Sequence, residues 1–278
     1  MIWRAGWANR HLGDRMHMYF CKSDGAKLYY QITGNGPPIV LLHPVGLCSE
    51  YWQIQEKAFS KKYTVISIDF PGYGNSDKPD GPFTLEDFAS DVANLLRGLD
   101  FKSFVLCGQS LGGMVAQIVA VKWPELVAGL VLANTTPYGD QEVMEKRASI
   151  VETGGIAAEV DDTLKRWFTE ETLRNNPSLV ERIRRRLLAN DPQVHGWTWR
   201  AIGNFNVLNE IHAVRVPCLV IVGDRDPSTP PHLSKEIAKR ISGARYFEIP
   251  EAAHMAFLEK PDAFISAVEP FLADIQWT

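Results

Sequence analysis

The sequence predicts an α/β protein with a mostly parallel central sheet, helices on both faces and an inserted helical cap. Three observations lead to this prediction. Short continuous apolar runs recur along the chain, as in strands that are covered on both faces. Amphipathic helical patterns alternate with these runs at short spacing. The alternation stops over residues 138–209, where only helical patterns occur, and resumes afterwards.

The order of these patterns divides the chain into four segments. Residues 1–16 are predicted to be an N-terminal extension, because they carry arginines but lack the continuous apolar core of a signal peptide. Residues 17–137 and 210–278 are predicted to form the first and second parts of the core. Residues 138–209 are predicted to be the cap, inserted between two strands over the carboxyl ends of the sheet.

The first core part begins with alternating stretches in residues 17–34, which predict two strands joined by a turn. A short helix is predicted at residues 51–59. Thr84 and Asp87 have the spacing of a capping box, so a second helix is predicted to begin there. The continuous apolar runs predict buried strands at residues 39–42, 63–68, 104–107 and 130–133.

A Gly-x-Ser-x-Gly turn at residues 108–112 joins the third of these buried strands to a helix. Such a sharp turn holds the serine, here Ser110, away from its own backbone at the tip of the strand. Gly108 and Gly112 occupy positions where a larger side chain would collide as the chain reverses. The helix directs unpaired N–H groups toward the space above Ser110. The motif favours a catalytic serine, but alone it also fits an ordinary strand–helix corner.

A nucleophilic serine needs a base, and His254 is the histidine that we favour for this role. It follows the last predicted strand, so its loop lies at the same carboxyl edge of the sheet as Ser110. The base needs a carboxylate, and both Asp224 and Asp226 follow the strand at residues 218–222. We favour Asp226, because Asp224 lies directly in the turn, where a short polar side chain commonly caps the backbone.

Two backbone N–H groups are predicted to form an oxyanion hole. Leu111 directly follows the nucleophile. Val45 lies in the loop after the strand at residues 39–42, next to Pro44, which has no N–H. His43 is predicted to brace this loop by hydrogen bonding and to border the substrate pocket.

The predicted cap is rich in aromatic residues. Trp167, Trp197 and Trp199 are candidates for the lining of an apolar pocket over the sheet edge. Most of the cap aromatics are expected to pack the cap helices on the core, with one or two of them facing the pocket.

With these residues placed, the sequence resembles the α/β-hydrolase superfamily over residues 24–271. The resemblance implies the α/β-hydrolase fold and a nucleophile–acid–base order, which Ser110, Asp226 and His254 match. The other strand-end position that this fold uses for the acid holds Asn134, which cannot serve as a carboxylate. The further segments that fit are residues 69–76 (DFPGYGNS), residues 223–226 (GDRD) with Pro230, and His254 followed by Glu259, Lys260, Pro261 and Phe264.

Within the superfamily, the chain is similar to 3-oxoadipate enol-lactonases and their esterase relatives. The segments that carry this similarity are residues 166–169 (RWFT), 226–231 (DPSTPP) and 243–246 (GARY). Two segments differ: residues 43–47 (HPVGL) replace a Ser-Asn-Ser-Leu-Gly type of loop, and residues 201–206 (AIGNFN) lack an Arg-Asp pair. The resemblance implies hydrolysis of a carboxylic ester or lactone through an acyl-enzyme, with an enol-lactone, another lactone and an open ester as alternatives.

Two further functions stay open. One is a C–C bond hydrolase with the same triad, although the glycine-rich oxyanion loop usual in that group is missing here. The other is a ligand-binding receptor that has kept a hydrolase fold, against which an intact triad argues. Relatives with an aspartate nucleophile are disfavoured, because the residue at the turn is Ser110.

Composition and charge limit the partners and the compartment. The net charge of −4 gives no electrostatic reason to expect nucleic acid or an anionic membrane surface. The four cysteines lie far apart without metal-ligand spacing, which predicts reduced thiols and a cytoplasmic protein. We expect a small-molecule ester or lactone as the partner and no metal or organic cofactor, since no motif for either occurs. Whether the chain forms a homodimer is left open.

Overall fold

The computed structural model describes residues 15–22 and 24–277. Almost all of the predicted N-terminal extension therefore lies outside the described residues. Met16, which we placed in that extension, already belongs to the first strand.

The strands of the described residues form one eight-stranded sheet, with the order β1-β2-β4-β3-β5-β6-β7-β8. The pairs β1–β2 and β2–β4 are antiparallel, and the other neighbours are parallel. This is the mostly parallel sheet that the sequence predicts. The strands are β1 (Met16–Cys21), β2 (Lys27–Thr33), β3 (Pro38–Leu42), β4 (Thr64–Ile68), β5 (Phe104–Gln109), β6 (Val127–Ala133), β7 (Cys218–Gly223) and β8 (Arg245–Ile249).

The helices separate most of the parallel strands and cover the sheet. They are α1 (Gln53–Phe59), α2 (Leu85–Arg97), α3 (Leu111–Lys122), α4 (Gln141–Gly154), α5 (Val160–Trp167), α6 (Glu170–Asn175), α7 (Pro177–Leu188), α8 (Pro192–Gly203), α9 (Pro231–Arg240), α10 (Ala256–Glu259) and α11 (Pro261–Ala273). Within the described chain, none of them combines the length and apolar character that crossing a bilayer requires.

Helices α4 to α8 form a single insertion between β6 and β7, and this insertion is the helical cap. The two ends of this insertion meet. Tyr138 and Asn206 form an isolated antiparallel bridge. Gly139 N–H donates to the carbonyl of Phe205 at 2.7 Å, and Val207 N–H donates to the carbonyl of Pro137 at 2.9 Å. The insertion therefore leaves the core and returns to it at one place.

The sequence explains why α2 begins where it does. Thr84 Oγ1 accepts a hydrogen bond from Asp87 N–H at 3.2 Å, and Asp87 Oδ2 accepts one from Thr84 N–H at 2.7 Å. This reciprocal pair is the predicted capping box, which satisfies N–H groups that have no partner inside the helix. From this start the helix buries Phe88, whose ring stacks on that of Phe70 in the core at 5.1 Å between centroids.

Thr84→Ala should lower the free energy of unfolding by about 1 kcal/mol, because the side-chain acceptor for Asp87 N–H is lost. Urea unfolding followed by circular dichroism measures this loss. Thr84→Ser keeps the acceptor and should unfold like the wild type. An alanine variant with an unchanged unfolding midpoint would contradict the stabilising role of the capping box.

Candidate active site

Ser110 lies at the turn between β5 and α3 in a strained backbone conformation. Its φ is 53° and its ψ is −114°, in a region that residues other than glycine seldom adopt. Hydrogen bonds hold the turn in place. Ser110 N–H donates to the carbonyl of Ala133 at 2.9 Å, and Thr135 Oγ1 donates to the carbonyl of Ser110 at 2.8 Å. The serine side chain is therefore presented at the tip of the strand.

The two glycines of the motif allow close approach of backbone segments. A Cβ atom added at Gly108 would lie 2.2 Å from the carbonyl oxygen of Gly112. One added at Gly112 would lie 2.1 Å from the carbonyl oxygen of Leu42 in β3. The structure thus agrees with the expectation that larger side chains would collide at these positions.

The structure brings Ser110, His254 and Asp226 into one hydrogen-bonded line, which is called the relay below. His254 Nε2 lies 3.0 Å from Ser110 Oγ, and His254 Nδ1 lies 2.9 Å from Asp226 Oδ2. All three residues are buried. Since the carboxylate can only accept, we assign the imidazole proton to Nδ1, which leaves Nε2 free to accept the serine proton. The arrangement has the geometry that transfer of a proton from serine to histidine needs.

The carboxylate of Asp226 is buried but richly hydrogen-bonded. Oδ1 accepts from the N–H groups of Ser228 and Thr229 at 2.8 and 3.0 Å, and Oδ2 accepts from Thr229 Oγ1 at 2.7 Å. Burial opposes the charge, but the electrostatic interaction with His254 and hydrogen bonds from His254, Asn134 and Thr229 outweigh this effect. Together they lower the pKa of Asp226 to about 2. The group is ionised at neutral pH.

Asp224, the other candidate carboxylate, does not contact the histidine. Asp224 is exposed, and its Oδ1 accepts a hydrogen bond from Ala252 N–H at 3.3 Å. Asp226, not Asp224, contacts His254. The role of Asp226 as the acid of the triad stays a prediction.

Asn134 and Thr229 are site residues that sequence reasoning missed. Asn134 Nδ2 donates to Asp226 Oδ2 at 2.8 Å and to the carbonyl of Ala253 at 3.2 Å. The sequence marked Asn134 only as a position that lacks a carboxylate. A signal for Thr229 existed, because an aspartate followed closely by serine and threonine commonly forms side-chain-to-backbone turns. No comparable local signal pointed to Asn134.

His43 braces the loop after β3 from a fully buried position. Its Nδ1 donates to the carbonyl of Pro44 at 2.8 Å, and its Nε2 accepts from Phe70 N–H at 2.9 Å. Burial lowers the pKa of His43 to about 4, so the ring is neutral at neutral pH. The Pro44 carbonyl belongs to the same peptide group as Val45 N–H, so His43 sets the direction of this N–H. The roles of Val45 and Leu111 as oxyanion donors stay predictions.

The three candidate tryptophans occupy different environments. Trp167 is buried, with its ring centroid 6.3 Å from that of His254. Trp199 is buried in the cap and meets the ring of His195 edge-on at 5.5 Å. Trp197 is half-buried. Trp167 is thus the one of the three that lies beside the histidine of the relay.

A cleft of about 560 Å³ opens between the cap and the loops after β7 and β8. Pro227 and Ala253, which border it, are the sequence neighbours of Asp226 and His254. The predicted pocket residues His43, Trp167, Trp197 and Trp199 do not border it. Its lining consists of Lys165, Phe168, Thr169, Glu170, Glu171, Arg174, Arg225, Pro227 and Ala253.

Comparisons with known proteins fit this fold. The family model described as the alpha/beta hydrolase fold matches residues 37–261. A 3-oxoadipate enol-lactonase of Acinetobacter baylyi is 30% identical over 84% of this chain and 87% of its own length. The crystal structure of an enol-lactonase from Burkholderia xenovorans has a TM-score of 0.89 and 33% identity, over 92% of this chain and 100% of that chain. The structure of a thermophilic esterase from Thermogutta terrifontis has a TM-score of 0.86 and 29% identity, over 94% of this chain and 98% of that chain.

The low pKa of Asp226 predicts a loss of stability in acid. A carboxyl whose folded-state pKa lies below its ordinary value of 3.8 stabilises the fold above that pH, and this stabilisation is lost as the pH falls toward 2. For a pKa of about 2 the contribution is on the order of 2 kcal/mol. Between about pH 4.5 and pH 2, wild type should therefore lose more unfolding free energy than Asp226→Asn, as measured by urea unfolding. Equal acid slopes for the two proteins would contradict this prediction.

Proposed function

The chain belongs to the α/β hydrolase fold family, and we propose that it is a serine hydrolase that cleaves a carboxylic ester or lactone through an acyl-enzyme. The observation that carries the proposal is the buried line from Asp226 through His254 to Ser110, with distances of 2.9 and 3.0 Å. The relatives named as enol-lactonases and as an esterase support the same reaction class.

In the first half of the reaction, Ser110 Oγ attacks the acyl carbon while His254 Nε2 takes its proton. The ionised Asp226 stabilises the imidazolium that forms. The N–H groups of Val45 and Leu111 hold the oxyanion of the tetrahedral intermediate. When that intermediate collapses, the ester C–O bond breaks and His254 returns the proton to the leaving oxygen.

In the second half, water replaces the alcohol. His254 takes a proton from the water as its oxygen attacks the acyl carbon, and the bond to Ser110 Oγ then breaks. The proton passes to Ser110, which restores the starting state, and the acid leaves. With an open ester the two products separate, whereas with a lactone both groups stay on one molecule.

Ser110→Ala should lower kcat for p-nitrophenyl acetate by at least about 10⁴-fold, because the residues of such a relay act as a unit. Ser234→Ala is the matched control, since Ser234 is a buried serine in α9, outside the relay. Steady-state absorbance of p-nitrophenol gives both rates. Retained turnover in Ser110→Ala would reject the proposal, and an initial burst without turnover in the wild type would favour the receptor alternative.

A panel of p-nitrophenyl esters and lactones, followed by pH-stat, decides the substrate class. Faster turnover of lactones than of open esters with the same acyl length would assign a lactonase, and the reverse would assign an esterase. Ser110→Ala, run with every substrate, corrects for spontaneous hydrolysis.

The orientation of the loop after β3, which contains Val45, gives a further prediction. His43→Asn places an amide near the Nδ1 position and can keep the bond to the Pro44 carbonyl. His43→Gln extends to the Nε2 position and can keep the bond to Phe70. If the direction of Val45 N–H matters, kcat should follow the order wild type, His43→Asn, His43→Gln, with losses of up to about 10²-fold.

Thermal unfolding of both variants controls for the buried cavity that each substitution changes. Equal kcat values in two folded variants would contradict the role of His43 in orienting the loop.

A further inference from the structure

The backbone around His254 is held to the sheet by two amide side chains. Gln109 Nε2 donates to the carbonyl of His254 at 2.7 Å, and Asn134 Nδ2 donates to the carbonyl of Ala253 at 3.2 Å. These donors lie at the ends of β5 and β6, so they tie the carbonyl side of the loop to the core. The N–H groups of the same loop have partners in a different place.

Glu259 connects this loop to the cap. Its Oε2 accepts a hydrogen bond from Ala253 N–H at 2.6 Å. Its Oε1 accepts from both the N–H and the hydroxyl of Thr169, at 2.8 and 2.9 Å. Thr169 is the N-cap residue of α6 in the insertion. One carboxylate therefore joins two segments that are distant in sequence, through charge-assisted bonds of the stronger kind.

A second bond joins the same two segments. Met255 N–H donates to the carbonyl of Trp167, the last residue of α5, at 3.0 Å. Ala253, before His254, is thus connected through Glu259 to Thr169. Met255, after His254, is bonded directly to Trp167, two positions before Thr169. A displacement of this part of the insertion would reach His254 from both sides.

A cleft lies along one side of this connection. The cleft of about 560 Å³ opens between the same segments, with Phe168 and Thr169 bordering it from the insertion and Ala253 from the loop. Beside this cleft, the hydrogen bonds of Glu259 and of Met255 connect the two segments directly.

We propose that Glu259 is a positioning residue that couples the docking of the cap to the position of His254, an inference that rests on the proposed function. With the cap docked, Glu259 holds Ala253 N–H, and His254 Nε2 lies 3.0 Å from Ser110 Oγ. With the segment around Thr169 displaced, the imidazole moves out of line with the serine. A misplacement of about 1 Å can cost about 10²-fold in rate.

Glu259→Gln tests the proposal, because an amide offers one acceptor oxygen to two segments that both present donors. We expect kcat for p-nitrophenyl acetate to fall by about 10- to 100-fold, with KM within about twofold of wild type. Glu251→Gln is the matched control. It removes a carboxylate from the same loop, whose partner is the exposed Arg225 at 3.6 Å, and it should keep the wild-type rate.

Two readouts separate positioning from general stabilisation. The plateau of the kcat/KM profile against pH should fall, because the alignment of the base with Ser110 changes. Amide hydrogen exchange at Thr169 and Ala253 should become faster in Glu259→Gln, since both N–H groups lose a charged acceptor.

A second pair of variants keeps the test decisive if Glu259→Gln does not fold. Thr169→Val loses the hydroxyl that donates to Glu259, whereas Thr169→Ser keeps it. The serine variant should retain the wild-type kcat, and the valine variant should lose part of it at unchanged KM.

A folded Glu259→Gln with wild-type kcat would overturn the coupling, and so would equal kcat values for Thr169→Val and Thr169→Ser. The proposed function fails in a different way, through a wild type without turnover or a Ser110→Ala variant with unchanged turnover. The two failures are therefore distinguishable.

Discussion

The hydrogen bond between Asp226 Oδ2 and His254 Nδ1 is the interaction on which the rest of the site depends. A carboxylate taken out of water is costly unless its oxygens are occupied by donors. Here the fold supplies those donors, from the backbone after β7, from Thr229 and from Asn134. The charge kept in this way determines which imidazole nitrogen carries the proton, and thus which nitrogen faces Ser110.

The parallel sheet explains why these groups can meet at all. Neighbouring parallel strands end at one edge, so residues far apart in sequence emerge side by side. Ser110 follows β5, Asn134 follows β6, Asp226 follows β7 and His254 follows β8, in the order in which these four strands lie in the sheet. Each strand end contributes one polar side chain to the same small volume. The apolar runs that predict buried strands therefore also determine where these four side chains are located.

The parts of the site that sequence reasoning reached are those with a local signal. Ser110 lies in a motif whose glycines indicate a sharp turn of the backbone, and the position of His254 follows from the order of predicted strands. Gln109, Asn134 and Glu259 gave no local indication of the groups that they bind, because these groups lie in other segments, and Glu259 entered only as part of a segment that fits the superfamily. An amide or carboxylate that binds a distant backbone group looks like any other polar residue until the chain is folded. The fold class was predictable because its signal is local: hydrophobic periodicity is repeated in every element.

The meeting of the two ends of the insertion, at Tyr138 and Asn206, has a consequence for how such a chain can change. A segment that departs and returns at one point can be lengthened, shortened or exchanged without altering the order of the strands beneath it. Substrate range can then diversify by replacement of a module while the reaction centre is inherited intact. The segment around Thr169 sets the limit to this freedom, because any replacement must still offer donors to the carboxylate of Glu259.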